Sequence, residues 1–334
     1  MPAAEASHQF LPAGADQLSV AAALKDVTTL AVAVSGGSDS MALMRMVAAL
    51  PGKTVSALTV DHGLRPGSLA EAEQVSRWCA ALAIPHHILP WLDEKPTHGI
   101  QAKARTARYD LMTAWCQAHQ VPVLLTAHTL NDQAETVMMR KLRTSSDASL
   151  AGIWPETVWN GIRVIRPLLN VSRCALRAAL KRDGQGWLDD PSNENDRFER
   201  VRIRRALRSA DMASLGGEAA AALARSRADA AAAQQWLSVH ACVHGTGHIT
   251  VPRGLLTGTR DEVALRIMSR LVHACGGKTP ERAEVMRILA ALNEKGPFRR
   301  SLGGALIAAR TGEVLLGREP GRIAAVAVGV PPGG

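Results

Sequence analysis

Apolar and polar positions alternate in blocks along the first half of the chain. Residues 30–34 (LAVAV) form a short, wholly apolar run, the pattern of a strand covered on both faces. A Gly- and Ser-rich turn follows, then an apolar helical stretch over 39–50 that Pro51-Gly52 ends. The rhythm continues with strand 54–60, helix 68–82 with Ser68 as its N-cap, strand 86–91, helix 100–119, strand 121–127 and helix 131–143. Residues 163–167 supply a last strand and 172–183 its helix. This order predicts an α/β fold with a doubly wound parallel sheet, whose ligands bind beyond the carboxyl ends of the strands. Ser35, Asp61 and His128 all fall there.

The pattern then changes. Residues 200–208 (RVRIRRALR) carry five arginines and no acid, and Gly216-Gly217 opens an Ala-rich stretch to Gln235 with few large apolar residues, read as a helical connector. Helical periodicity at 261–274 and 281–293, with two short strand-like runs at 304–309 and 314–317, predicts a small α+β C-terminal domain. The expected organisation is an N-terminal extension 1–27, a catalytic domain 28–212, a connector 213–239, a C-terminal domain 240–320 and a flexible tail 321–334.

Composition adds a partner. Thirty-nine Lys and Arg against 30 Asp and Glu leave a net charge of +9, which favours a polyanion, nucleic acid first. No apolar run approaches the ~18 residues of a membrane span, and the N-terminus lacks a signal-peptide pattern. The five cysteines, Cys79, Cys116, Cys174, Cys242 and Cys275, are scattered, which predicts reduced thiols in a cytoplasmic protein and argues against a cysteine-bound zinc or iron–sulfur centre. The spacing of His240, Cys242, His244 and His248 matches no structural zinc site. The His86-His87 pair is placed at a strand end and given no role.

The chemistry concentrates in Ser35-Gly36-Gly37-Ser38-Asp39-Ser40, between an apolar strand and a helix. Paired glycines and flanking hydroxyls let backbone N–H groups wrap an oxyanion at the positive end of the helix. It is no Walker A loop. Gly-Lys-Thr occurs at 52–54 and 277–279, but Val47 and Val272 stand where the leading glycine is needed. An Asp in place of the lysine points to pyrophosphate held partly through a metal such as Mg2+. The loop resembles that of the PP-loop ATP pyrophosphatases, which cleave ATP to AMP and pyrophosphate.

Other motifs choose within that group. They are Asp61-His62-Gly63-Leu64-Arg65, Gly99-Ile100, Ala104-Arg105-Thr106-Ala107-Arg108-Tyr109, Thr126-Ala127-His128, Asn131-Asp132-Gln133-Ala134-Glu135-Thr136, Arg166-Pro167-Leu168-Leu169 and Asp189-Asp190-Pro191-Ser192-Asn193. Together they resemble the tRNA(Ile)-lysidine synthetases over about residues 28–208, and more weakly over 260–319 through Ser301-Leu302-Gly303-Gly304 and Gly317-Arg318-Glu319. Asn131 stands where many members have a second Asp, Gln101 where Glu is frequent, Arg143-Thr144-Ser145-Ser146 where Arg-Gly-Ser-Gly is commoner, and Val201 where Asn is usual.

The resemblance implies a ligase that activates the wobble cytidine of the CAU-anticodon tRNA(Ile) with AMP and then lets the side-chain amine of L-lysine displace the AMP. It implies ATP contacts at Ser35, Gly36, Gly37, Ser38, Asp39, Ser40, Asp61 and His62, with Asp39 and Asp132 toward Mg2+. Asp39, His128, Asp132 and Glu135 are the catalytic candidates. Asp132 and Glu135, three apart at a helix start, project to one side and suit lysine's ammonium groups, with Arg105 or Arg108 for its carboxylate. The two acids also satisfy a helix dipole alone. Arg200, Arg202, Arg204, Arg205 and Arg208 are the candidate tRNA-phosphate contacts, with a solvated helix face as the plain alternative. Another PP-loop adenylating enzyme such as a tRNA thiolase, and a non-catalytic RNA-binding protein, are the competing functions. Oligomeric state stays open, a homodimer included.

Overall fold

The computed structural model describes residues 10, 12, 20, 23–63, 67–93, 100–143, 150–189, 199–294, 296–310 and 312–320, with the backbone alone at 100, 101 and 210. Most of the expected extension 1–27, Arg65, Gly99, residues 144–146 and 190–193, and the tail 321–334 lie outside the described residues. The chain divides into two compact units, Met1–Leu223 and Ala224–Gly334.

In the first unit, β1 (Thr29–Ala33), β2 (Thr54–Asp61), β3 (His86–Pro90), β4 (Val123–Leu125), β5 (Glu156–Trp159) and β6 (Ile162–Ile165) form one sheet in the order β3-β2-β1-β4-β6-β5. All neighbours are parallel except β5, which pairs antiparallel with β6 at the edge. The helices are α1 (Ser38–Ala48), α2 (Ser68–Ala81), α3 (Ile100–Ala118), α4 (Leu130–Arg143), α5 (Arg173–Arg182) and α6 (Glu199–Ala206), and the division between the units falls within the next helix, α7 (Ser209–His240). Alternation along β1 explains the two-faced core. Leu30 and Val32 pack with Met41 and Val47 of α1, Val75 of α2 and Leu176 of α5, whereas Ala31 packs with Tyr109, Met112 and Cys116 of α3. A strand buried on both faces has to be apolar throughout, which is why residues 30–34 read as an unbroken run.

Three expectations change. Ser68 is not a cap: Gly67, in a left-handed conformation with φ 90°, caps α2, and Ser68 is its first helical residue. The edge strand β5 goes unread in the apolar pattern because its residues alternate exposed and half-buried. Its signal is Asn160-Gly161, the two-residue turn between β5 and β6. Helix α7 runs 32 residues, straight through Gly216-Gly217 rather than starting there.

The His86 side chain has a role after all. Thr59 Oγ1 donates to Val34 O at 2.6 Å and pairs with His86 Nε2 at 2.7 Å, while Ser76 Oγ pairs with His86 Nδ1 at 2.6 Å. The imidazole thus links β2, β3 and α2 beneath the residue that precedes the Ser35 turn. Burial, with the charge of His87 adding to it, pushes its pKa down to about 4.

The second unit carries β7 (Cys242–Val243), β8 (Ile249–Pro252), β9 (Phe298–Leu302), β10 (Ala305–Ala309) and β11 (Glu313–Arg318) in an antiparallel sheet ordered β7-β8-β11-β10-β9. Helices α8 (Arg253–Thr257), α9 (Asp261–Gly276) and α10 (Arg282–Asn293) accompany it. The two expected strand runs are β10 and β11. Strands β7, β8 and β9 escaped notice because they are short or, like β9 (FRRSL), exposed at three successive positions. Buried Arg253 donates to the carbonyls of Leu292, Gly296, Glu294 and Arg310, tying α8 to the loops that follow α10 and β10. His244 and His248 stack at 4.2 Å and bond to Thr250 and Thr246. Among the described residues no three His, Cys, Asp or Glu side chains gather as a metal-holding group, and no helix is long and apolar enough to cross a membrane.

Candidate active site

The parallel strands β1, β2 and β4 end on one edge of the sheet, and each delivers part of the site there. After β1 the chain turns at Gly36, which has a φ of +83°. A Cβ at this position would meet Leu188 Cδ1 at 2.7 Å and Val75 Cγ2 at 3.0 Å, so both the conformation and the space call for glycine. Leu188 also straps the turn by donating its N–H to Gly36 O at 2.8 Å. Gly37 is the N-cap of α1, so the first backbone N–H groups of the helix open toward the turn. Ser40 Oγ donates to Gly37 O at 2.9 Å and accepts from Ser35 N at 3.2 Å, which fixes the loop's curvature. Ser38 and Asp39 form the first turn of α1, where a carboxylate also favours the helix dipole.

After β2, Asp61 Oδ1 accepts from Gly63 N at 2.9 Å, and His62 sits edge-on to Trp91 at 5.8 Å. After β4, His128 Nδ1 pairs with Thr126 Oγ1 at 3.0 Å. Burial, the largest influence, and the nearby Arg166, Arg105 and Arg108 charges outweigh the pull of Asp132 and push His128 down to about 3. The imidazole is held neutral, with Nδ1 engaged by Thr126. Arg105 and Arg108 stand over the Tyr109 ring at 5.2 and 5.9 Å, and burial lowers the pKa of Arg108 with Arg105 adding to the effect.

The acids converge on α4 and α1. Asp132 accepts from Thr129 N at 2.9 Å and Thr129 Oγ1 at 2.8 Å through Oδ2, which leaves Oδ1 to face Arg200 and Arg173. Glu135, one turn on, has a side chain only 1% exposed. Two arginines of α6 close on this pair. Arg200 donates to Glu135 Oε2 at 2.6 Å and Asp132 Oδ1 at 3.0 Å, and Arg204 donates to Glu135 Oε1 at 2.7 Å. Burial works to raise the pKa of Asp132, but Arg173, Arg200, His128 and the Thr129 N–H together hold it below the usual carboxylate range. Asp39 goes the other way, because burial and the neighbouring Asp132 charge outweigh Arg173 and raise it.

The five arginines expected on one phosphate-binding face therefore divide. Arg200 and Arg204 turn inward onto the acids, whereas Arg202, Arg205 and Arg208 are exposed. Two further residues, Arg173 and Arg177, escaped the sequence reading. Arg173 Nε donates to Asp39 Oδ2 at 2.8 Å and its Nη2 lies 3.6 Å from Asp132 Oδ1. Arg177, one turn later, donates to Ser38 Oγ at 3.2 Å and Asp189 Oδ1 at 2.6 Å. Their signal was available: Arg173 directly follows the Ser172 cap, and a cation in a helix's first turn opposes the dipole, so another partner must hold it there. Asn131, in place of the common Asp, accepts the backbone N–H of Arg173 at 2.9 Å and so anchors the start of α5.

A hydroxyl- and glycine-lined turn at the carboxyl end of a buried parallel strand, capped by a helix N-terminus and faced by acids, defines a PP-loop nucleotide-binding protein. The PP-loop domain family matches residues 12–210. The chain is 40% identical over 310 residues to the tRNA(Ile)-lysidine synthase of Methylobacterium sp. (strain 4-46), covering 87% of this chain and 89% of that one. It is 35% identical over 336 residues to the tRNA(Ile)-lysidine synthase of Bradyrhizobium diazoefficiens, covering 90% and 92%. The chain belongs to the tRNA(Ile)-lysidine synthase family. Among solved structures, the U34-tRNA thiolase NcsA from Methanococcus maripaludis, with its [4Fe-4S] cluster, shares the fold at a TM-score of 0.53 and 16% identity over 62% of this chain and 77% of that one.

Proposed function

We propose that the chain is a ligase that joins the side-chain amine of free L-lysine to the wobble cytidine of the CAU-anticodon tRNA(Ile), consuming ATP and releasing AMP and pyrophosphate. One observation carries the reading: Arg173 bridges the turn at Asp39 to the acid pair begun by Asp132, so a phosphate site and an ammonium site share one wall. The first α1 N–H groups and the Ser38 hydroxyl suit the phosphates of ATP, while the Ser40 hydroxyl holds the loop in shape through Gly37 O. In the first step cytidine O2 attacks the α-phosphorus, and pyrophosphate leaves with the electron pair of the broken P–O bond. In the second, lysine's amine attacks the ring carbon, AMP departs with the oxygen, and an ionised carboxylate takes the amine proton. Activation is required because oxide is a hopeless leaving group at neutral pH. The lysine amine, with a reference pKa of about 10.4, also has to shed a proton first.

Asp132 and Glu135 suit the ammonium groups, and Arg105 or Arg108 the lysine carboxylate. Asp39 and Asp132 each present a hard carboxylate oxygen beside Arg173, which fits Mg2+ held by one or two carboxylates plus substrate phosphates with Arg173 in place. When bound, that ion would neutralise phosphate charge. The reaction belongs in the cytoplasm, where its substrates meet, and a homodimer would carry one site per protomer. A thiolase reading has less support, since the five cysteines are all free and do not gather.

Single-turnover chemistry with labelled ATP, tRNA and lysine tests the reading. AMP and pyrophosphate are expected, and Asp132→Asn or Glu135→Gln should slow lysidine formation about 100-fold while adenylated tRNA still accumulates. Products of ADP and orthophosphate would refute it.

A further inference from the structure

The proposed chemistry needs one atom, the α-phosphorus, to meet both the phosphate turn and the incoming second substrate. Arg173 occupies that junction. Its Nε is committed to Asp39 Oδ2 at 2.8 Å, and Asp132 Oδ1 stands 3.6 Å from Nη2, beyond hydrogen-bond reach. Among the described residues its terminal nitrogens make no hydrogen bond. The guanidinium is thus oriented by one edge, and its terminal N–H groups, ion-paired with Asp132 but not hydrogen-bonded to it, suit bidentate recognition of phosphate. Its side chain is 20% exposed, open enough to be reached.

The supporting frame is specific. Asn131 Oδ1 accepts the Arg173 N–H, the Ser172 hydroxyl accepts from Ala175 N at 3.2 Å, and Arg177 holds Ser38 one turn away. Together these fix the first turn of α5 against the first turn of α1. A cation there also lies beside two carboxylates that would otherwise repel an incoming polyanion.

We propose that Arg173 is a catalytic residue that, while its Nε stays on Asp39, donates its terminal N–H groups to the α-phosphate of ATP as cytidine O2 displaces pyrophosphate. The inference rests on the adenylation reading above. As the O2–phosphorus bond forms and the bond to the bridging oxygen breaks, negative charge redistributes over the α-phosphate oxygens, and a preoriented guanidinium meets that charge without reorganising.

The test measures pyrophosphate release in a single turnover with tRNA and ATP, beside equilibrium binding of labelled ATP. Arg173→Ala should release pyrophosphate about 100-fold more slowly while ATP binding changes less than the rate does. Guanidinium ion at concentrations far below denaturing should restore part of the rate, which it could not do for a purely structural loss. Arg173→Lys should stay slow by about 10-fold or more, because an ammonium cannot serve Asp39 and a phosphate fork together. If the alanine variant fails to fold, the lysine variant decides. A parental rate in either, or a loss that guanidinium leaves untouched, overturns the proposal. Absence of pyrophosphate from the parental chain would instead overturn the adenylation reading, so the two failures are distinguishable.

Discussion

His86 has both ring nitrogens engaged, by Thr59 and Ser76, and Thr59 in turn holds the carbonyl of Val34 next to the phosphate turn. A neutral ring fits this network, since Nε2–H can donate to Thr59 while Nδ1 accepts from Ser76. Its pKa falls from 6.5 in the unfolded chain to about 4 when folded. Below pH 6.5 the unfolded chain takes up a proton that the folded one refuses until about pH 4. The contribution of His86 is therefore full above pH 6.5 and is lost progressively as pH falls toward 4. Urea unfolding midpoints of the parental chain should decline over that window, and His86→Gln should flatten the decline. Equal slopes in the two proteins would remove His86 from the account. Sequence alone placed this histidine at a strand end and could say no more, because its partners lie 27 and 10 residues away.

At the scale of elements, α6 shows how one arginine-rich helix serves two purposes. Val201 and Ile203 are buried, and their spacing fixes which neighbours face the acids and which face water. Arg200 and Arg204, four apart, share the inward side with Glu135. The cations in this position compete with any ammonium brought to Asp132 and Glu135. Arg204→Gln should consequently lower the lysine KM in steady-state assays, at the cost of about 1–2 kcal/mol of stability, because buried Glu135 keeps only Arg200. It should leave the salt dependence of tRNA binding unchanged. Replacing exposed Arg202 and Arg205 by Gln should instead shallow that salt dependence by about two phosphate contacts and leave the lysine KM alone. If Arg204→Gln shifts the salt slope and not the lysine KM, the division of α6 is wrong.

Across the whole molecule, the two units carry separate cores, one around β1 and α1 and another around α9, α10, β10 and β11. The second is small, and Arg253 supplies part of its order by satisfying four backbone carbonyls at once. Arg253→Met keeps much of the side chain's bulk but strands the carbonyl of buried Leu292, at a cost of roughly 1–3 kcal/mol, and leaves the other three to water. Hydrogen exchange should speed up through β8, β10 and β11 while β1 and β4 keep their protection. Acceleration of both sets together would mean that the units unfold as one.

What the sequence by itself determined was whatever is written locally. The Ser35–Ser40 turn, the parallel strand–helix rhythm and the acid pair on α4 each depend on residues within a few positions of one another, so spacing and residue type suffice. Even the β5–β6 hairpin was written locally, in Asn160-Gly161. The tertiary structure alone decided the charge pairing. Arg173 meets Asp39 across 134 residues, and Arg200 and Arg204 meet Glu135 across 65 and 69. No periodicity encodes such a pair, because a guanidinium reads identically in sequence whether it faces water or a carboxylate. Only packing, which buries Glu135 and brings α5 and α6 over the ends of the strands, selects which arginines turn inward.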